Sequence, residues 1–111
     1  MSYALSMSRT FVRVELVEQS HTADSPFSTA MAELGFLQTI TGRKTRKPLR
    51  LPTGMYLIED TKPVEALDLT RQAARKANVE ARIFCVPASG DVSFGNLKRD
   101  GDDDRDAIPT P

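Results

Sequence analysis

The chain has 111 residues and a mass of 12.3 kDa, enough for one compact domain and too little for two. Hydrophobic residues make up 40% and charged residues 27%, which excludes collagen-like, mucin-like and wholly disordered chains. Fifteen Lys and Arg balance fifteen Asp and Glu overall, yet residues 1–99 hold fourteen of the cations against ten anions, and residues 100–111 set Arg105 against five aspartates. The body therefore carries a small positive excess, which is compatible with a polyanionic partner without being diagnostic of one.

Residues 1–8 are expected to form a flexible N-terminus ahead of a single domain spanning 9–97. Phe11 to Glu18 alternates with period two, placing Val12, Val14 and Leu16 on one face of a strand and Arg13 and Glu15 on the other. After a polar loop, Ser25 supplies a helix cap and Pro26 the first helical position, while Phe27, Ala30, Met31 and Leu34 recur at helical spacing. Gly35 then provides a left-handed stop. Phe36–Thr41 reads as a second strand through its aromatic and β-branched residues. Gly42–Gly54, with five cations and two prolines, reads as an exposed basic hairpin connection.

Met55–Glu59 is the third expected strand. Asp60-Thr61-Lys62-Pro63 introduces a second helix reaching about Asn78, with an apolar stripe at Leu67, Thr70, Ala73, Ala74 and Ala77. Ala81–Val86 is the fourth strand, and Pro87 ends it. The order βαββαβ makes the helices crossovers, so the expected class is α+β: a ferredoxin-like four-stranded antiparallel sheet with two helices on one face. Residues 98–111, rich in aspartate, are expected to form a disordered acidic tail.

Cys85 is the single cysteine, so no intramolecular disulfide and no multi-cysteine zinc site can form, and a reducing compartment is the simpler expectation. Residues 1–8 lack a basic stretch and the apolar run of about 7–15 residues that a secretory signal requires. No window approaches the ~20 apolar residues of a membrane span. A cytoplasmic protein without a membrane partner follows as the expectation.

No phosphate-cradling loop, dinucleotide fingerprint or paired-histidine metal motif is present, and neither a cofactor nor a metal site is expected. His21, the only histidine, lies in a polar loop and is either an exposed loop residue or an acid–base group. Arg13 and Glu15, on the outward face of the first strand, serve either in ordinary exposed cross-strand ion pairing or as a cation and a carboxylate that assist proton transfer or hold a metal. Arg43, Lys44, Arg46, Lys47 and Arg50 put five cations in eight residues, which suits a solvated loop or an arm for a phosphate backbone. Tyr56 fits a core position as well as a base-stacking one. Cys85 shares a face with Ile83 and reads as a small buried hydrophobe.

Four stretches taken together resemble the endoribonuclease antitoxins of type V toxin–antitoxin systems, the GhoS family with its prophage-borne relatives. They are Phe11–Leu16, Ala30–Ile40, Leu51–Tyr56 and Ala88–Gly95. The resemblance implies a ferredoxin-like domain similar to the small CRISPR-associated ribonucleases, cytoplasmic, pairing with itself as a homodimer, and cleaving a toxin messenger RNA. It carries no catalytic set onto particular positions. With single-stranded RNA as partner, the five hairpin cations would hold phosphates and Arg13, Glu15 and His21 are the candidates for activating a ribose 2′-hydroxyl; a divalent metal stays open as an aid. The residues also fit a second class, a non-catalytic phage or prophage interaction protein that uses its sheet face or an edge strand to dimerise or to bind an unidentified protein partner.

Overall fold

The computed structural model describes residues 8–17, 25–41, 47–88 and 92–98. Its elements are β1 (Arg9–Leu16), α1 (Pro26–Glu33), β2 (Thr39–Thr41), β3 (Pro48–Arg50), β4 (Met55–Glu59), α2 (Pro63–Ala77) and β5 (Ala81–Pro87). The period-two pattern of the first strand makes it central, because both of its edges and one whole face are then buried. β4, β1 and β5 form an antiparallel sheet in that order, with Val12 opposite Tyr56 on one side and Cys85 on the other. Val12 and Thr10 are wholly buried. The Thr10 hydroxyl, which cannot reach water, donates to the Thr61 carbonyl at 2.7 Å.

Both helices pack on the face that carries Val12, Val14 and Leu16. In α1 the Ser25 Oγ accepts the Ser28 backbone N–H at 3.1 Å, Pro26 opens the helix, and Phe27, Ala30 and Met31 are buried. Gly35 follows at φ +99°, the left-handed conformation expected of it. α2 begins where Glu65 Oε1 accepts the Lys62 N–H at 3.0 Å and closes at Asn78 in the left-handed region. Its buried stripe is Ala66, Thr70, Ala73 and Ala74, with Leu69 and Ala77 beside it. Leu67, expected on that stripe, lies off it. In an alanine-rich helix, small residues bury almost anywhere, so the phase is set by close approach to the sheet and Leu69 supplies the bulk instead.

The expected four-stranded sheet is observed as three strands plus a separate two-stranded ribbon. The segment expected as one strand over Phe36–Thr41 divides. Leu37 meets Leu57 in a single antiparallel bridge, whereas Thr39–Thr41 pairs with Pro48–Arg50. The expectation of an exposed connection through Gly42–Gly54 is therefore corrected over its second half. Residues 48–50 are a strand, and Leu51 is buried, its N–H donating to the Gln38 carbonyl at 2.8 Å. The physical reason is a second apolar cluster on the sheet face away from the helices. Phe11, Ile40, Leu51, Leu57 and Ala88 form it, and Leu49, Met55, Val86, Val92 and Leu97 pack around them. The ribbon closes this cluster, and the Arg50 N–H is held by the Lys98 carbonyl at 2.7 Å.

Candidate functional site

The second cluster covers only part of that face. On β1 the side chains on this side run Phe11, Arg13, Glu15; Phe11 is 8% exposed, while Arg13 and Glu15 are open to solvent. The register completes the surface: Arg13 lies between Met55 of β4 and Phe84 of β5, and Glu15 lies opposite Arg82. Arg13, Glu15, Arg82, Ile83 and Phe84 line a shallow depression of about 320 Å³. Phe84 is 67% exposed, so a full aromatic ring stands in water between cations contributed by two adjacent strands.

Arg82 Nη1 and Glu15 Oε1 are 3.2 Å apart, and both side chains are mostly exposed. A surface pair of this kind contributes at most about 1 kcal/mol, so an anionic ligand can displace the carboxylate from Arg82. Arg13 sits against a tight turn. Gly54 has φ +84°, a Cβ there would fall 2.7 Å from the Val14 carbonyl oxygen and 3.8 Å from Arg13 Nε, and the Val14 N–H donates to the Gly54 carbonyl at 2.7 Å. Only glycine lets β4 enter the sheet this close to β1 while leaving space beside the guanidinium.

Of the residues singled out from sequence, the structure brings Arg13 and Glu15 onto this one surface. Lys47 is exposed just before β3, and Arg50 is half-buried on β3, in the ribbon that covers the neighbouring half of the face. Arg43, Lys44, Arg46 and His21 lie outside the described residues, as does most of the acidic tail. Tyr56 is a core residue, 1% exposed, with its ring edge-on to Phe27 and Phe36 at 6.2 Å and its hydroxyl 3.0 Å from Ser28 Oγ. Burial pushes its phenol pKa up, against a smaller downward pull from the Ser28 hydrogen bond. It cannot stack on a base. Cys85 packs toward the helix-side core with Ile83, and burial likewise pushes its thiol pKa up, away from a reactive thiolate.

Sequence reasoning missed Phe84 and Arg82. The signal was the alternation of 81–87: with Ile83 and Cys85 facing the helices, Arg82, Phe84 and Val86 must face the other way. Two other depressions lack such a combination. One lies between the helices, where Lys76 Nζ meets Glu33 at 2.6 Å, and the other along α2 beside Val64 and Leu67. Among the described residues no three of His, Cys, Asp and Glu gather as metal ligands, and no helix is long and apolar enough to cross a membrane. In comparisons with known proteins, the chain matches no family model, no curated protein and no solved structure.

Proposed function

We propose that the protein binds single-stranded RNA across the open half of its sheet and acts as an endoribonuclease-type antitoxin on a toxin messenger RNA. The observation that supports this reading is Phe84, exposed on the sheet face with Arg13 opposite it and Arg82 two residues away on the same side. An exposed ring accepts an unpaired base whatever its identity, and such stacking is worth about 1–3 kcal/mol per base. The flanking guanidiniums then meet successive phosphates, with Lys47 and Arg50 on the adjoining ribbon extending the cationic track. In this reading the Leu37 bridge to Leu57 stands for the fourth strand of a ferredoxin-like sheet.

Cleavage on this surface uses groups already beside the ring. Glu15, released from Arg82 by a phosphate, takes the proton of a ribose 2′-hydroxyl. The 2′-oxygen bonds to phosphorus, the bond to the 5′-oxygen breaks, and that oxygen takes a proton from water. Arg13 offsets the negative charge that builds on the phosphorus oxygens.

The test is fluorescence anisotropy with labelled single-stranded RNA, followed by incubation with and without chelator. Phe84→Ala is expected to weaken binding by about ten-fold or more, and combined alanine replacement of Arg43, Lys44, Arg46, Lys47 and Arg50 to flatten its salt dependence. Discrete cleavage that disappears in Glu15→Gln and Arg13→Ala supports the nuclease. Binding without cleavage reduces the reading to an RNA-binding protein, and absence of binding moves the function to the interaction-protein class.

A further inference from the structure

The depression on the open half of the sheet holds two guanidiniums, Arg13 and Arg82, and one carboxylate, Glu15. Arg50 adds a further cation on the adjoining ribbon. The chain itself arrives on this face. Val92 and Leu97 pack on the cluster that contains Phe11, and the Lys98 carbonyl accepts the Arg50 N–H at 2.7 Å. Phe11 and Arg13 share one face of β1, about 7 Å apart along the strand. Residues 99–111, which come next, lie outside the described residues, but their sequence is informative. Between positions 100 and 106, Asp100, Asp102, Asp103, Asp104 and Asp106 stand against Arg105 alone, and no aromatic residue occurs there. The strongest acidic run of the chain therefore begins where the chain has just been fastened beside its cationic surface.

We propose that residues 100–106 dock within the same chain on the open half of the sheet, their carboxylates accepting from Arg13 and Arg82, and that RNA must displace them. The competition rests on the RNA reading above, whereas the docking does not. Reach allows it: four residues beyond Lys98 an extended chain has covered about 13 Å, and eight residues beyond about 26 Å. The existing partner yields easily, because the Arg82–Glu15 pair is mostly exposed at 3.2 Å, and one carboxylate there exchanges for another at little cost. Each new contact is also weak by itself. A segment held on so short a tether, however, acts at an effective concentration on the order of millimolar, so several weak contacts populate the docked form without locking it. Phe84 stays available, since 100–106 offers no ring to lay against it. The docked segment takes the places of phosphates and leaves the place of a base. A mononucleotide, with a single phosphate to offer, then displaces it poorly, and a longer single strand displaces it well.

The experiment compares amide proton–nitrogen correlation spectra of two full chains without RNA: the natural one, and one carrying Asp100→Asn, Asp102→Asn, Asp103→Asn, Asp104→Asn and Asp106→Asn, with circular dichroism to confirm that both fold. At low salt the amides of Arg13, Glu15, Arg82 and Phe84 are expected to differ between the chains and to converge as salt rises. No difference at these positions overturns the proposal. So does a difference confined to Lys47–Arg50 and Lys98, which would put the segment on the ribbon instead. Fluorescence anisotropy with labelled single-stranded RNA then reads the competition: the five-Asn chain is expected to bind about three- to ten-fold tighter at low salt. Equal affinities overturn the competition, and tighter binding without the spectral differences is a net-charge effect that overturns the docking. The two readings fail separately. Spectral differences with no RNA binding by either chain keep the docking and remove the RNA reading, while RNA binding without them does the reverse.

Discussion

Phe11 and Arg13 are two residues apart on one face of one strand, yet Phe11 is sealed under a ribbon and Arg13 stands in water. On the sealed half, Leu51, Ile40 and Leu57 supply apolar surface, and backbone hydrogen bonds from Arg50 to Lys98 and from Leu51 to Gln38 hold the cover in place. On the open half the corresponding positions carry Arg13, Glu15 and Arg82, which no cover could desolvate cheaply. Where the sheet must be stable it is apolar and roofed. Where it is unroofed, the Phe84 ring stands in water, and that contrast supports the proposal that this half is a binding surface.

The contrast between helix side, roofed half and open half can be tested by truncation. Met31→Ala, in the helix-side core at 0% exposure, is expected to cost about 4 kcal/mol in a urea titration. Ile40→Ala, under the ribbon at 5% exposure, should cost about 2 kcal/mol, since a three-residue strand pair relaxes into the space more readily. Equal losses would show that the ribbon is as rigid as the main core. Gly54→Ala joins a positive φ to a 2.7 Å approach on backbone and is expected to cost about 3 kcal/mol. It should also disturb RNA affinity through Arg13, which a mutation in the helix-side core would not do.

A smaller effect is expected at Tyr56. Replacement by Phe should cost about 1 kcal/mol, because Ser28 Oγ keeps Ser25 Oγ at 3.2 Å. The folded chain holds the phenol proton above its ordinary pKa of 10.0, so the neutral group's contribution is intact below that value and is lost as pH climbs through the folded one. Cys85 behaves likewise from 9.0 upward. Stability measured against pH should therefore fall at the alkaline end, and less steeply in Tyr56→Phe. The smallest effect on stability belongs to Phe84→Ala, within about 0.5 kcal/mol in dilute solution for so exposed a ring, although its effect on RNA affinity is the largest of the set.

Most of the main sheet and both helices were legible because each is written in one dominant period. Val12, Val14 and Leu16 fix the face of β1, Ser25-Pro26 and Gly35 bracket α1, and Met55–Glu59 coincides with β4. The ribbon was not legible, since Lys47, Pro48, Arg50 and Pro52 read locally as a solvent-exposed turn and hide the alternation of Leu49 and Leu51. Those leucines belong to a cluster with Phe11 and Ala88, far from them in sequence, so a local window does not show what buries them. Arg13 and Glu15 were visible as the outward face of a strand, but the residues that make that face a surface came from β5. Phe84 drew no attention because a lone aromatic inside an apolar run carries no local mark of exposure, and only its two-residue phase against Ile83 and Cys85 shows which way it faces.

The Leu37 bridge limits how far chains can associate. A sheet with two bare margins adds copies at both ends without limit, and that is the route to fibres. Here the β4 margin is interrupted by the chain itself, at the Leu37 bridge to Leu57. Strand addition along that margin is blocked where the bridge sits, and a short bridge of two hydrogen bonds acts as a safeguard against runaway assembly.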